Sequence, residues 1–322
     1  MRAGSIRNNH GAKPMTSNSI YAQLVKSGDA WSTAYGPFVL RSALQPIFKR
    51  VADDLFDIHS FQGLVRAERN GEAYPPSQFF PLVDPQDLPS VDSLLRSIHI
   101  LNAGLLRRER SNVLVSFQPL LFTGAVELRH ELDRMRLIAH EAALSPDRIV
   151  CDISASAGNG KMSARAVDQI RQAGLRVSMS NYEASEHDIQ DVLALRPDFV
   201  RFDGDWVRDY LHNSAGFALL RVIVRQLQEE GIEPIFERLE ESWQVDLCLE
   251  LGVTLLQGYA LARPELAPTA FNQEFPEILL PPALPASVAP APVHDRERTS
   301  LALAPSRSEV LQRPTPVFGK RR

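Results

Sequence analysis

Cysteine is scarce in this chain of 322 residues: Cys151 and Cys248 are the only two, far apart and without Cys-x-x-Cys spacing. That excludes a disulfide framework and a cysteine-based zinc site, and it fits a reducing, cytoplasmic setting. Long apolar runs are missing too. No stretch reaches the ~18 consecutive apolar residues of a membrane-spanning helix. Met1 to His10 carries charge and Asn where a signal peptide would have an apolar core, so neither a membrane partner nor secretion is expected. Charge of one sign is not in excess. The 35 Lys+Arg face 39 Asp+Glu, a net of −4, which argues against nucleic acid as a partner. The eight histidines include no His-x-x-x-His pair, so no helical zinc motif is present.

What is there is an ordinary globular composition, 44% apolar and 23% charged, long enough for one large α/β barrel or two small domains. Residues 1–34 are polar and lack apolar periodicity, so they are expected to be unstructured. Asp198 to Asp203 reads as a strand and Ser214 to Glu230 as a helix with Phe217, Leu220, Ile223, Val224 and Leu227 on one face, stopped by Gly231. Glu233 to Phe236, then Glu240 to Leu251 stopped by Gly252, then Val253 to Leu256 continue as strand, helix, strand. Upstream the alternation recurs at Arg148 to Ile153, Ser163 to Ala173 and Leu175 to Met179. Repeated units from about residue 35 to 266 predict a (β/α)8 TIM-like barrel. Residues 267–322 are Pro/Ala-rich and then basic, with seven Lys+Arg against three Asp+Glu from His294 onward. That composition predicts a disordered tail suited to docking a protein partner.

In such a barrel the chemistry sits at the carboxyl ends of the strands. The polar residues there are Gln62, Asp152, Ser180 with Asn181, Asp203, Glu237 and Gln257. Around them lie Gln45-Pro46-Ile47, Phe61-Gln62-Gly63-Leu64-Val65-Arg66, Pro76-Ser77-Gln78-Phe79-Phe80-Pro81-Leu82, and Gln257-Gly258-Tyr259 followed by Pro264. In this order, over about residues 36–266, the motifs resemble the EAL domain, the family of bacterial cyclic di-GMP phosphodiesterases and their inactive receptor relatives. The resemblance implies an EAL-type (β/α)8 barrel whose active members use two divalent metals and a metal-activated water. Such a pair needs a cluster of hard oxygen ligands.

The family's ligand positions are eroded here. Its signature Glu falls on Gln62, its Asn on Ser116, its next Glu on Asp152, its paired aspartates on Ser180-Asn181 and its catalytic Lys on Arg201, which stays protonated and cannot act as a base. Asp152, Asp203 and Glu237 are the residual acids. No catalytic residues and no required cofactor are therefore expected, with Mg²⁺ or Mn²⁺ relevant only if those three acids still hold metal. The ligand contacts implied by the resemblance are retained at Gln45, Leu64, Arg66, Asp203, Glu237, Gln257 and Gly258. Arg66 could grip a phosphate edge and Glu237 accept guanine N–H donors.

Each of these residues also has a structural reading. Arg66 could close a salt bridge at the rim, Gln45 and Gln257 could satisfy backbone groups, and Glu237 could pair with Arg201. Glu183 places a negative side chain where a phosphate would lie. Gly158-Asn159-Gly160-Lys161 lacks Walker spacing and reads as a βα loop. The expectation is an inactive EAL protein that binds cyclic di-GMP or works through protein contacts. The competing readings are a slow phosphodiesterase releasing linear pGpG and a nucleotide-independent adaptor, whose sign would be a filled barrel mouth. A homodimer is compatible with the resemblance, since EAL relatives often pair through barrel helices.

Overall fold

Short runs such as Val113-Leu114-Val115 and Ile149-Val150-Cys151 are apolar on both faces, the pattern of strands covered by helices outside and a packed core inside. The computed structural model describes residues 22–52, 55–154 and 160–278. The expected loop at Gly158-Asn159, residues 1–21 and the basic tail after 278 lie outside the described residues. Eight strands close into a barrel: β3 (Phe38–Ala52), β4 (Leu55–Arg69), β6 (Asn112–Ser116), β7 (Ile149–Ser154), β8 (Arg176–Tyr182), β9 (Phe199–Phe202), β10 (Glu233–Phe236) and β11 (Leu255–Leu256). Strands β4 and β6 to β11 are parallel in sequence order, while β3 runs antiparallel to both β4 and β11 and closes the ring.

The covering helices are α1 (Leu88–Leu105), α2 (Ala125–Glu141), α3 (Gly160–Gln172), α4 (Glu186–Leu195), α5 (Gly204–Leu211), α6 (Ser214–Glu229) and α7 (Ser242–Glu250). Gly231 and Gly252 take φ +77° and +85° where α6 and α7 end, as their stop signals require. Leu220, Val224 and Leu227 of α6 are buried and Phe217 and Ile223 pack beside them.

Two boundaries differ from the sequence reading. Strands β1 (Val25–Ser27) and β2 (Ala30–Tyr35) lie within the stretch expected to be unstructured. They extend the sheet beyond the barrel along the long β3–β4 hairpin, with β5 (Glu72–Tyr74) on the other edge. That extension has its own core of Phe38, Leu40, Val65, Ala67, Phe79 and Val91. At the other end the fold continues past residue 266 to 278. A hairpin has no crossover helix, so the outer faces of Phe48 and Phe61 need another cover. Phe271 and Phe275, following β12 (Glu265–Leu266), supply it at ring distances of 5.8 Å and 4.9 Å. Arg108 ties this segment down by donating to the Phe275 carbonyl at 2.7 Å and to Asn272 Oδ1 at 3.2 Å.

Candidate functional site

Inside the barrel, Ile47, Leu114, Val150, Phe199, Ile235 and Leu255 form one apolar layer. Side chains on the same face of a strand recur every second residue, so the next layer toward the carboxyl rim is fixed by position. It consists of Gln45, Ser116, Asp152, Arg201, Glu237 and Gln257. Ser60 and Ser178, buried on β4 and β8, lead in the same way to Gln62 and Ser180. Because β3 is antiparallel, Gln45 pairs with Gln62 across the hairpin. Gln257 Nε2 donates to Gln62 Oε1 at 3.0 Å, which links two of the three amides on this side of the rim.

The opposite side is charged. Arg201 is 4% exposed, and Asp152 and Glu237 are 9% exposed each. Arg201 Nη1 donates to Asp152 Oδ2 at 2.5 Å, and its Nη2 donates to Glu237 Oε2. Burial works to lower the guanidinium pKa, but the two carboxylates outweigh it and leave that pKa above its ordinary value. Arg201 Nε and Asp152 Oδ1 are buried and have no hydrogen-bond partner among the described residues.

A second buried cation flanks the first. Arg96 on α1 donates to Asp92 Oδ2 and, at 2.7 Å, to Glu131 Oε1, with its guanidinium 5.1 Å from the Phe117 ring centre. Its pKa is likewise raised by those two acids against the pull of burial. Neither Arg96 nor this cluster was signalled in the sequence, where Ser93, Ser97, His99 and Asn102 surround Asp92 and Arg96 with further polar positions. His99, one turn on, is buried with its Nδ1 2.7 Å from Ser42 Oγ. Burial, with Arg96 and Arg66 nearby, pushes its pKa down to about 3.

Three adjoining depressions open on the rim. Gln45, Gln62, Leu64, Arg201, Glu237, Gln257 and Gly258 line one of about 340 Å³, together with Arg238 and Tyr259. Gln62, Leu64, Arg66, Ser116 and Asp152 line the next, about 240 Å³, and Ser116, Asp152, Ser180 and Asn181 a third of about 360 Å³. Gly258 is required by close approach, because a Cβ there would lie 2.0 Å from the Leu239 carbonyl oxygen. Asp203 lines none of the three. Its Oδ1 accepts from the backbone N–H groups of Asp205 and Trp206 at 3.0 Å and 2.9 Å, capping α5. Glu183 is exposed and also lines none of them; its N–H donates to Asp188 Oδ2 at 3.1 Å.

The EAL domain family model matches residues 39–264. The chain belongs to the EAL family. Among curated proteins this EAL chain is similar to a probable cyclic di-GMP phosphodiesterase PdeA of Escherichia coli, 24% identical over 38% of this chain and 17% of that protein. It is also similar to the cyclic di-GMP phosphodiesterase PdeB of Shewanella oneidensis, 26% identical over 30% of this chain and 11% of that protein. The matched stretch is thus a small part of each relative's length. Solved structures share the fold: a MucR phosphodiesterase in complex with c-di-GMP (TM-score 0.62, 20% identity, 71% of this chain and 92% of that one) and the FimX EAL domain of Pseudomonas aeruginosa bound to c-di-GMP (TM-score 0.59, 20% identity, 70% and 90%). Klebsiella pneumoniae BlrP1, in a manganese and c-di-GMP complex, superposes with TM-score 0.63 at 20% identity over 72% of this chain and 57% of its own.

The donor set of this EAL barrel does not fit a pair of divalent ions. Gln62, Ser116, Ser180 and Asn181 are neutral, and Asp203 caps α5 through Oδ1 and lines none of the three depressions. Asp152 and Glu237 each give one oxygen to Arg201, whose fixed positive charge would repel a second cation between them. Among the described residues no group of three or more His, Cys, Asp or Glu is placed to hold a metal. Asn181, at φ +59°, turns its amide to Ser154 Oγ at 3.0 Å.

Proposed function

We propose that this EAL domain binds cyclic di-GMP without hydrolysing it and passes the signal on through protein contacts. The observation that carries the reading is Arg201, a buried cation bridging the two acids that a metal-dependent hydrolase would need free. Binding needs less than catalysis. Arg66 is half-buried, with Nη1 donating among the described residues only to the Val65 carbonyl next to it, which leaves most of its donors to a phosphate. Glu237 gives Oε2 to Arg201 and keeps Oε1 for a guanine N–H. The open depressions count against an adaptor with a filled mouth, and their size suits a small-molecule ligand.

Protein contact has its own support. Tyr182, Ile189, Val192 and Leu193 face Ile223 and Leu227 across an apolar groove between α4 and α6, beside exposed Leu219 and Val222. The test is a calorimetric titration of cyclic di-GMP into the full chain in chelator and again with Mg²⁺ or Mn²⁺, with the nucleotide recovered and chromatographed. Equal binding in both buffers with intact nucleotide is expected. Release of linear pGpG would overturn the reading, and absence of binding in both would leave a nucleotide-independent adaptor.

A further inference from the structure

Four arginines line the two depressions that meet at Gln62 and Leu64: Arg66 and Arg96 in one, Arg201 and Arg238 in the other. Two of them are already neutralised. Arg96 and Arg201 are buried and each is held by two carboxylates. The Asp152, Arg201 and Glu237 cluster sums to a charge of −1, so the floor of the site does not attract a phosphate. Among the described residues, Arg66 and Arg238 are the two arginines of these depressions that can meet one from outside, with exposed Glu240 the acid beside Arg238.

Arg238 is built in an unusual way. Its backbone sits at φ +57°, a left-handed conformation that glycine adopts freely and a Cβ disfavours. Space is kept for its stem: a Cβ on Gly204 would lie 2.6 Å from Arg238 Cβ and 2.9 Å from its Cδ. Among the described residues the only ion pair it makes is Nη1 to Asp205 Oδ2 at 2.8 Å, with both side chains more than half exposed. Such a pair contributes little to stability, so it does not offset the backbone strain. It is also easily released, since Asp205 Oδ1 already accepts from Arg208 at 2.6 Å. A left-handed backbone under a cation on the rim of a cavity points to a role in binding.

We propose that Arg238 is a second phosphate contact of the site, acting with Arg66 from the far side of Leu64, so that each of the two phosphates of a cyclic dinucleotide meets one guanidinium at the edge of the site. The inference rests on the nucleotide-binding reading above. It is tested by titrating cyclic di-GMP into the full-length wild type, Arg66→Ala, Arg238→Gly and Arg238→Lys, with thermal melts of each. Arg238→Gly removes the strain with the charge, so its melting temperature should stay level or rise while affinity falls about 10- to 100-fold, the range of one charge-assisted hydrogen bond. Arg238→Lys should keep part of the affinity, and raising KCl should weaken the wild type more than Arg238→Gly. A wild type that binds and an Arg238→Gly variant that binds equally well would overturn this proposal alone. A wild type that does not bind at all would overturn it together with the functional reading.

Discussion

Replacing Arg201 with alanine is the sharpest perturbation of the barrel mouth. The side chain is 5% exposed and its partners Asp152 and Glu237 are 9% and 11% exposed, so the substitution strands two carboxylates in a low-dielectric layer. Removing one partner of a buried ion pair costs about 3–5 kcal/mol. For a domain of this size that is a fall in Tm of roughly 6–20 °C. Arg225, whose pair with Glu229 is exposed on both sides, is the control, and its alanine variant should lose no more than ~1 kcal/mol. The assay is urea unfolding of wild type and variant. A cost below about 1 kcal/mol would show the cluster to be solvated and would remove the main argument against a metal pair.

Two further outcomes follow from packing and burial. Gly258→Ala should cost about 1–3 kcal/mol and weaken nucleotide binding, since the added Cβ must push the Leu239 backbone away and drag Gln257 with it; a melt and a titration within error of wild type would contradict this. His99 has a folded pKa near 3 against 6.5 in the unfolded chain, so the unfolded state takes up its proton first as the pH falls. The stability it permits is complete above about 6.5 and is lost toward 3, at up to ~1.4 kcal/mol per pH unit. His59, pushed down to about 4 chiefly by burial, adds the same sign over a narrower window. Stability that stays constant from pH 7 to pH 5 would refute both assignments.

Much of the strand and helix pattern from Arg148 to Leu256 was legible because most elements there are single apolar runs closed by a glycine or a polar cap, but the helices at Glu186–Leu195 and Gly204–Leu211 were not read. The amino-terminal extension was not. β1 is exposed at all three residues, so no burial pattern marks it, and β3 carries Pro46 within its run, which weakens a strand reading. Nor could periodicity show that β3 runs against its neighbours, a direction set by its tight hairpin to β4. Phe271 and Phe275 were assigned to the tail because nothing local marks them as core. Their burial comes from Phe48 and Phe61, more than 200 residues earlier in the chain.

The site shows the same division more sharply. Which residues reach the rim could be read from strand ends, since the period of two that buries Leu114, Val150, Phe199 and Ile235 also delivers Ser116, Asp152, Arg201 and Glu237 one layer higher. Of their mutual contacts, the Glu237–Arg201 pair was open to the sequence, whereas the part Asp152 takes in it was not. Arg201 meets partners 49 and 36 residues away, and Arg96 meets Glu131 across two helices, so each neutralisation depends on barrel closure. Loss of metal ligands by itself describes only a weaker enzyme. A guanidinium fixed between the remaining acids describes a different site, one whose positive charge is internal, and on the proposed reading its affinity for an anionic ligand would come from Arg66 and Arg238 at its edge.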